Sequence, residues 1–219
     1  MTTHVIGNRQ VQIPVDAVTL EGELALPDGA QGLVVFAHGS GSSRHSTRNQ
    51  FVARTLREAG LGTLLFDLLT AQEEGVDIYT RHLRFDIELL ARRVVGATDW
   101  LLEQPALHGM KIGYFGASTG AAAALMAAAE RPEAVHAVVS RGGRPDLAGP
   151  VLAQVRAPTL LIVGGDDIPV IPLNQAAFNQ LQAEKALEII PGATHLFEEP
   201  GALEQVARLA AAWFRRHLR

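Results

Sequence analysis

The chain has 219 residues, of which 47% are apolar, 19% charged and 5% aromatic, with a formal net charge of −4. This is the make-up of one globular domain rather than a disordered or fibrous chain, and the acidic balance counts against a dedicated nucleic-acid binder, which is usually basic. Cysteine is absent, which removes disulfide scaffolds, thiolate zinc sites, iron–sulfur clusters and cysteine nucleophiles.

The first residues, MTTHVIGNRQVQIPVD, carry no apolar core of a secretory signal. The longest apolar run, 121–129, is too short to span a bilayer. A cytoplasmic protein without a membrane partner is therefore expected. Residues 11–15 and 19–26 alternate or are β-rich and read as a hairpin at a sheet edge. Residues 33–37 form a short continuous apolar run, the mark of a strand buried on both faces. A Gly/Ser loop follows at 39–43, then helical spacing over 48–59 with Gly60 as its stop. The alternation repeats: strand 62–66, a long amphipathic helix over 81–103, strand 111–115, an Ala-rich helix over 118–130, and strands 135–139 and 159–163. Helix 173–182, strand 187–190 and a closing helix over 203–217 complete it. Short apolar strands alternating with helices predict an α/β fold, a parallel sheet covered on both faces.

In such sheets the site lies at the C-terminal ends of the strands. Gly116-Ala117-Ser118-Thr119-Gly120 fits G-x-S-x-G between a strand and a helix, the context in which Ser118 serves as a nucleophile. The glycines make room for a tight turn, and the helix N-terminus favours developing negative charge. A serine hydroxyl needs a base, and the base an orienting acid. His195, after the last strand and before the last helix, is the expected base. Asp167, in Gly164-Gly165-Asp166-Asp167, is the expected acid, with Asp166 as the alternative.

Two backbone donors should receive the oxyanion formed by attack on a carbonyl: the N–H of Thr119, and that of Ser40 in the loop after strand 33–37, with Gly41 the alternative. That loop lacks the G-K-[ST] ending of a phosphate-binding loop. Asp67, after its own strand, is expected to hold a loop backbone or an arginine.

The order Ser118, Asp167, His195 is that of the α/β-hydrolase arrangement. With His38-Gly39-Ser40-Gly41-Ser42 and Gly192-Ala193-Thr194-His195, the chain resembles the small dienelactone-hydrolase-like members of that fold. The resemblance implies an eight-stranded, mostly parallel sheet and a Ser-His-Asp triad. Dienelactone hydrolases carry cysteine where Ser118 stands here.

Residues 140–158 leave room for a loop and one short helix, not a large lid, so an open site suited to small or polar esters is expected. Arg44, Arg141 and Arg144 sit near strand ends, where guanidinium groups suit an anionic substrate. The activity expected is hydrolysis of a small-molecule ester, thioester or lactone, needing neither cofactor nor metal, by a monomer or homodimer. The alternatives are acyl transfer or perhydrolysis through the same acyl-enzyme, or a hydrolase fold retained for binding.

Overall fold

The computed structural model describes residues 5–219. Eight strands form one sheet in the order β1-β2-β4-β3-β5-β6-β7-β8. They are β1 (Val5–Val15), β2 (Val18–Pro27), β3 (Gly32–Ala37), β4 (Gly62–Phe66), β5 (Lys111–Ala117), β6 (Val135–Arg141), β7 (Thr159–Gly164) and β8 (Lys185–Ile190). β1 pairs antiparallel with β2, and β2 antiparallel with β4, while every other pairing is parallel.

β3 and β4 are buried at every position because both faces are covered. Leu33, Val35, Leu64 and Tyr114 point to one face, and Val34, Phe36, Leu65 and Phe115 to the other. Helices α3 (Ile87–Leu102), α4 (Thr119–Glu130) and α5 (Ile171–Gln180) cover the first face. Helices α1 (Thr47–Glu58) and α6 (Ala202–His217) cover the second. α4 is buried nearly all round, with Ala121, Ala122, Ala123, Ala124, Ala127 and Ala128 inaccessible. An apolar helix without a polar face belongs in the interior, and alanine lets it approach the sheet closely.

The expected hairpin forms, although β1 begins earlier than residue 11. The helix expected over 81–103 is a correction. It starts only at Ile87, where Asp86 caps it by accepting from the Leu89 amide at 2.9 Å. Asp77 stops an earlier start: it is fully buried and accepts from the Leu83 amide at 2.7 Å and from Arg84 Nε at 2.5 Å. A separate helix, α2 (Ala71–Thr80), precedes this turn. It opens with a capping box between Thr70 and Glu73 and ends at Arg81 in the left-handed region, φ 55°. Between β6 and β7 lies 3₁₀-helical chain over Pro145–Gln154, interrupted at Gly149, rather than a cap domain.

Candidate active site

Ser118 sits in the turn from β5 into α4 with φ 50° and ψ −124°. That conformation is costly for a residue with a Cβ and persists only where the surroundings impose it. Here the imposition is steric. A Cβ on Gly116 would lie 2.4 Å from the Ala121 Cα, and one on Gly120 would lie 2.2 Å from the Ala37 carbonyl oxygen. Hydrogen bonds add to it: the Ser118 carbonyl accepts from the Ala121 amide at 3.1 Å and from the Arg144 amide at 3.0 Å.

His195 follows β8, and its Nδ1 lies 2.7 Å from Asp167 Oδ2. The Asp167 side chain is 9% exposed and that of His195 38%, so the carboxylate is covered while the imidazole faces the cleft. Asp166, the alternative acid, is exposed. The Asp166 amide donates to the Ala193 carbonyl at 2.9 Å, which ties the Asp167 loop to the His195 loop. Glu199 was not anticipated from sequence. It accepts from the Thr194 hydroxyl at 2.6 Å and from the Thr194 amide at 3.0 Å, next to His195, and these bonds hold its carboxyl below the usual range.

Ser118 and His195 line one cleft of about 270 Å³, with Gly39, Ser40, Asn49 and Arg141 among its walls. Among the described residues there is no direct hydrogen bond between Ser118 Oγ and His195. Thr119 is the first residue of α4, so its amide is one of those a helix leaves without an intrahelical acceptor. The other expected donor is the Ser40 amide. It donates to Thr119 Oγ1 at 3.0 Å.

His38 fixes the loop that carries Ser40. Its Nε2 accepts from the Leu68 amide at 3.0 Å, and its Nδ1 lies 2.9 Å from the Gly39 carbonyl. The neutral ring, with the proton on Nδ1, satisfies both contacts. Burial pushes its pKa down from the ordinary 6.5.

Two of the three expected substrate arginines are committed elsewhere. Arg44 pairs with Asp67 and, at 2.6 Å, with Glu21, and its amide donates to Asp67 Oδ1 at 2.7 Å. It faces a neighbouring cleft of about 540 Å³ rather than the one holding Ser118. Arg144 forms a two-pronged pair with Asp146 at 2.9 and 2.8 Å. Both guanidinium groups already have carboxylate partners.

Arg141 is the exception. It is 6% exposed, it lines the Ser118 cleft, and among the described residues its side chain hydrogen-bonds only to Asn49 Oδ1, at 3.2 Å from its Nη2. Its guanidinium lies over the Phe197 ring at 6.0 Å, and Nε has no partner. Burial, with Arg48 nearby, pulls its pKa down to about 10. Arg48 and Asn49, at the start of α1, also line the cleft, and neither was singled out from sequence. Among the described residues no group of three or more His, Cys, Asp and Glu side chains is placed to hold a metal ion, and no helix is long and apolar enough to cross a membrane.

A mostly parallel eight-stranded sheet with a serine at the β5–α4 turn and a His–Asp pair after β8 and β7 is the α/β-hydrolase fold. The chain belongs to the dienelactone hydrolase family, whose match covers residues 20–218. It is similar to the crystal structure of dienelactone hydrolase from Anabaena variabilis ATCC 29413, with 63% identity and a TM-score of 0.96 over 97% of this chain and 99% of that one. Est1E from Butyrivibrio proteoclasticus shares the fold at 17% identity, with a TM-score of 0.79 over 94% of this chain and 98% of that one. A Mycobacterium tuberculosis protein named "Putative phosphoribosyl transferase" is 57% identical over 96% of this chain. The chain spans 47% of that curated relative, about half its length.

The state of His38 has a consequence for stability. Its folded pKa lies below its unfolded value, so below pH 6.5 the unfolded chain binds the extra proton and stability falls with acidification. Between pH 7 and pH 5, urea unfolding should show a steeper loss for wild type than for His38→Gln. The difference should reach up to about 1.4 kcal/mol per pH unit, one proton's worth. Equal slopes would mean that the His38 contacts persist on protonation.

Proposed function

We propose that the protein is a serine hydrolase that cleaves small carboxylic esters, thioesters or lactones through an acyl-enzyme on Ser118. The observation that carries this reading is the 2.7 Å Asp167–His195 pair opening onto the cleft that the strained Ser118 also lines. His195 Nε2 takes the Ser118 Oγ proton as Oγ bonds to the acyl carbon, while Asp167 holds the Nδ1 proton and stabilises the imidazolium. Catalytic hydrogen bonds are often loose without substrate and tighten in the complex.

The oxyanion is received by the Thr119 amide and the Ser40 amide, the latter exchanging its bond to the Thr119 hydroxyl for one to substrate. Collapse breaks the ester C–O bond, and the leaving oxygen takes the proton from His195. Water then attacks the acyl carbon, giving its proton to His195, and Ser118 regains its hydroxyl as the acid departs.

Short p-nitrophenyl esters test the class. Ser118→Ala should lower turnover by roughly 10⁴-fold or more, because the covalent route is lost. Asp167→Asn should cost far more than Asp166→Asn, the aspartate that faces solvent. Undiminished hydrolysis by Ser118→Ala would overturn the mechanism, and the reverse ranking of the aspartates would move the acid.

Arg141 supports a finer reading, in which the substrate carries a carboxylate or phosphate. A buried guanidinium without a counter-ion is costly, and a ligand anion in the cleft would offset that cost. Arg141→Met should then raise KM for an anionic ester by about 10- to 100-fold, the value of a charge-assisted hydrogen bond. KM for a neutral ester of the same length should stay within about twofold. Equal effects on both esters would remove the anion from the proposal while leaving the hydrolase reading in place.

A further inference from the structure

Three loops must hold station for Ser118, Asp167 and His195 to meet, and one side chain that none of these roles uses joins two of them. Asn174 lies in α5 and is fully buried. Its Nδ2 donates to two carbonyls, those of Gly143 and Val170, each at 3.0 Å. With two acceptors on one side of the amide, the orientation of the group is fixed by its bonds.

The first of these bonds leads to the nucleophile through a single peptide unit. The Gly143 carbonyl accepts from Asn174, and the amide of the same peptide, Arg144 N–H, donates to the Ser118 carbonyl at 3.0 Å. Donor and acceptor of one peptide polarise each other, so the run Asn174 to peptide 143–144 to Ser118 is a cooperative chain. It ends on the residue whose φ of 50° requires outside support.

The second bond leads to the acid. The Val170 carbonyl accepts from Asn174 Nδ2 beside the ordinary helix bond from the Asn174 amide, and the Val170 amide donates to the Asp167 carbonyl at 2.9 Å. Gly142, one residue before the bridging peptide, packs on the base. A Cβ there would lie 2.9 Å from the His195 carbonyl oxygen.

We propose that Asn174 is a positioning residue that locks the Ser118 turn and the Asp167 loop into one register. The inference rests on the serine-hydrolase reading above. Asn174 acts through backbone and touches no substrate. Its loss lets the two loops drift, and a displacement of about 1 Å at a reacting group can cost about 10²-fold in rate.

The test uses Asn174→Leu, which keeps apolar volume without donors, and Asn174→Asp, which keeps shape but sets a carboxylate against two carbonyls. Fluorophosphonate titration counts the competent Ser118 sites in each preparation, and turnover is expressed per labelled site. Both variants should lose about 10- to 100-fold in kcat per labelled site, with KM for a neutral p-nitrophenyl ester within about twofold. Hydrogen exchange of the Arg144 amide should speed up in both, a readout independent of activity. A merely structural role would reduce the folded fraction and leave turnover per labelled site unchanged. Should Asn174→Leu fail to fold, the isosteric Asn174→Asp decides. Per-site turnover within twofold of wild type, with Arg144 exchange unaltered, would overturn the inference while Ser118→Ala still abolished hydrolysis. Full hydrolysis by Ser118→Ala would instead overturn the reading on which it rests.

Discussion

The closeness with which α4 docks onto β3 and β5 governs the rest of the molecule. Any Cβ at Gly116 or Gly120 would overlap backbone atoms of α4 or of the β3 exit, at 2.4 and 2.2 Å. Backbone cannot yield as a flexible side chain can, so the approach is available only to glycine. It turns the chain abruptly enough to force Ser118 into φ 50° and to aim the start of a buried helix at the same point. The alanines of α4 are the far side of the same constraint, since larger side chains would push the helix off the sheet.

Around this fixed point, charge is handled in two ways. Arg44, Asp67 and Glu21 form a paired group that anchors the loop after β3 to β2 and the β4 exit. Arg144 is likewise neutralised by its neighbour Asp146. Among the described residues Arg141 has an amide oxygen and an aromatic face but no carboxylate. A fold that pairs its other strand-end arginines and leaves this one without a counter-ion beside the cleft concentrates uncompensated charge where a ligand would meet it.

Much of this was legible in the sequence because it rests on local rules. G-x-S-x-G between an apolar strand and a small-residue helix has few structural solutions, and the last histidine after the last strand falls at the sheet's C-terminal edge. Of the two aspartates, the alternation of burial along the β7 exit leaves 166 exposed and 167 covered. Other features depended on tertiary partners. α2 shows no apolar stripe, its large side chains Val76, Ile78 and Tyr79 being exposed, so only the Thr70–Glu73 capping box marked it. The late start of α3 is set by buried Asp77 drawing in the Leu83 amide, a contact with no periodic signature. The fates of Arg44 and Arg144 depended on which carboxylates lay within reach. Asn174 was invisible for a simple reason: its partners are backbone carbonyls, which every residue carries.

The resulting site combines a rigid floor with walls of a different character. The turn at Ser118, the Asp167 loop and the His195 loop are tied by backbone bonds such as Asp166 N–H to Ala193 O and Arg144 N–H to Ser118 O. The opposite wall is the α1 start and the Gly39–Ser42 turn, and Ser42, Ser46 and Arg48 are shared with the larger cleft beside it. Backbone ties resist displacement because several peptides must move together, whereas a side-chain wall adjusts one rotamer at a time. For the proposed hydrolase, fixed reacting groups facing an adjustable wall suit one chemistry applied to substrates of differing shape. On the proposed reading, change of substrate belongs to Ser42, Ser46, Arg48 and Arg141 in the cleft wall, and the reaction itself to the glycine-enforced turn.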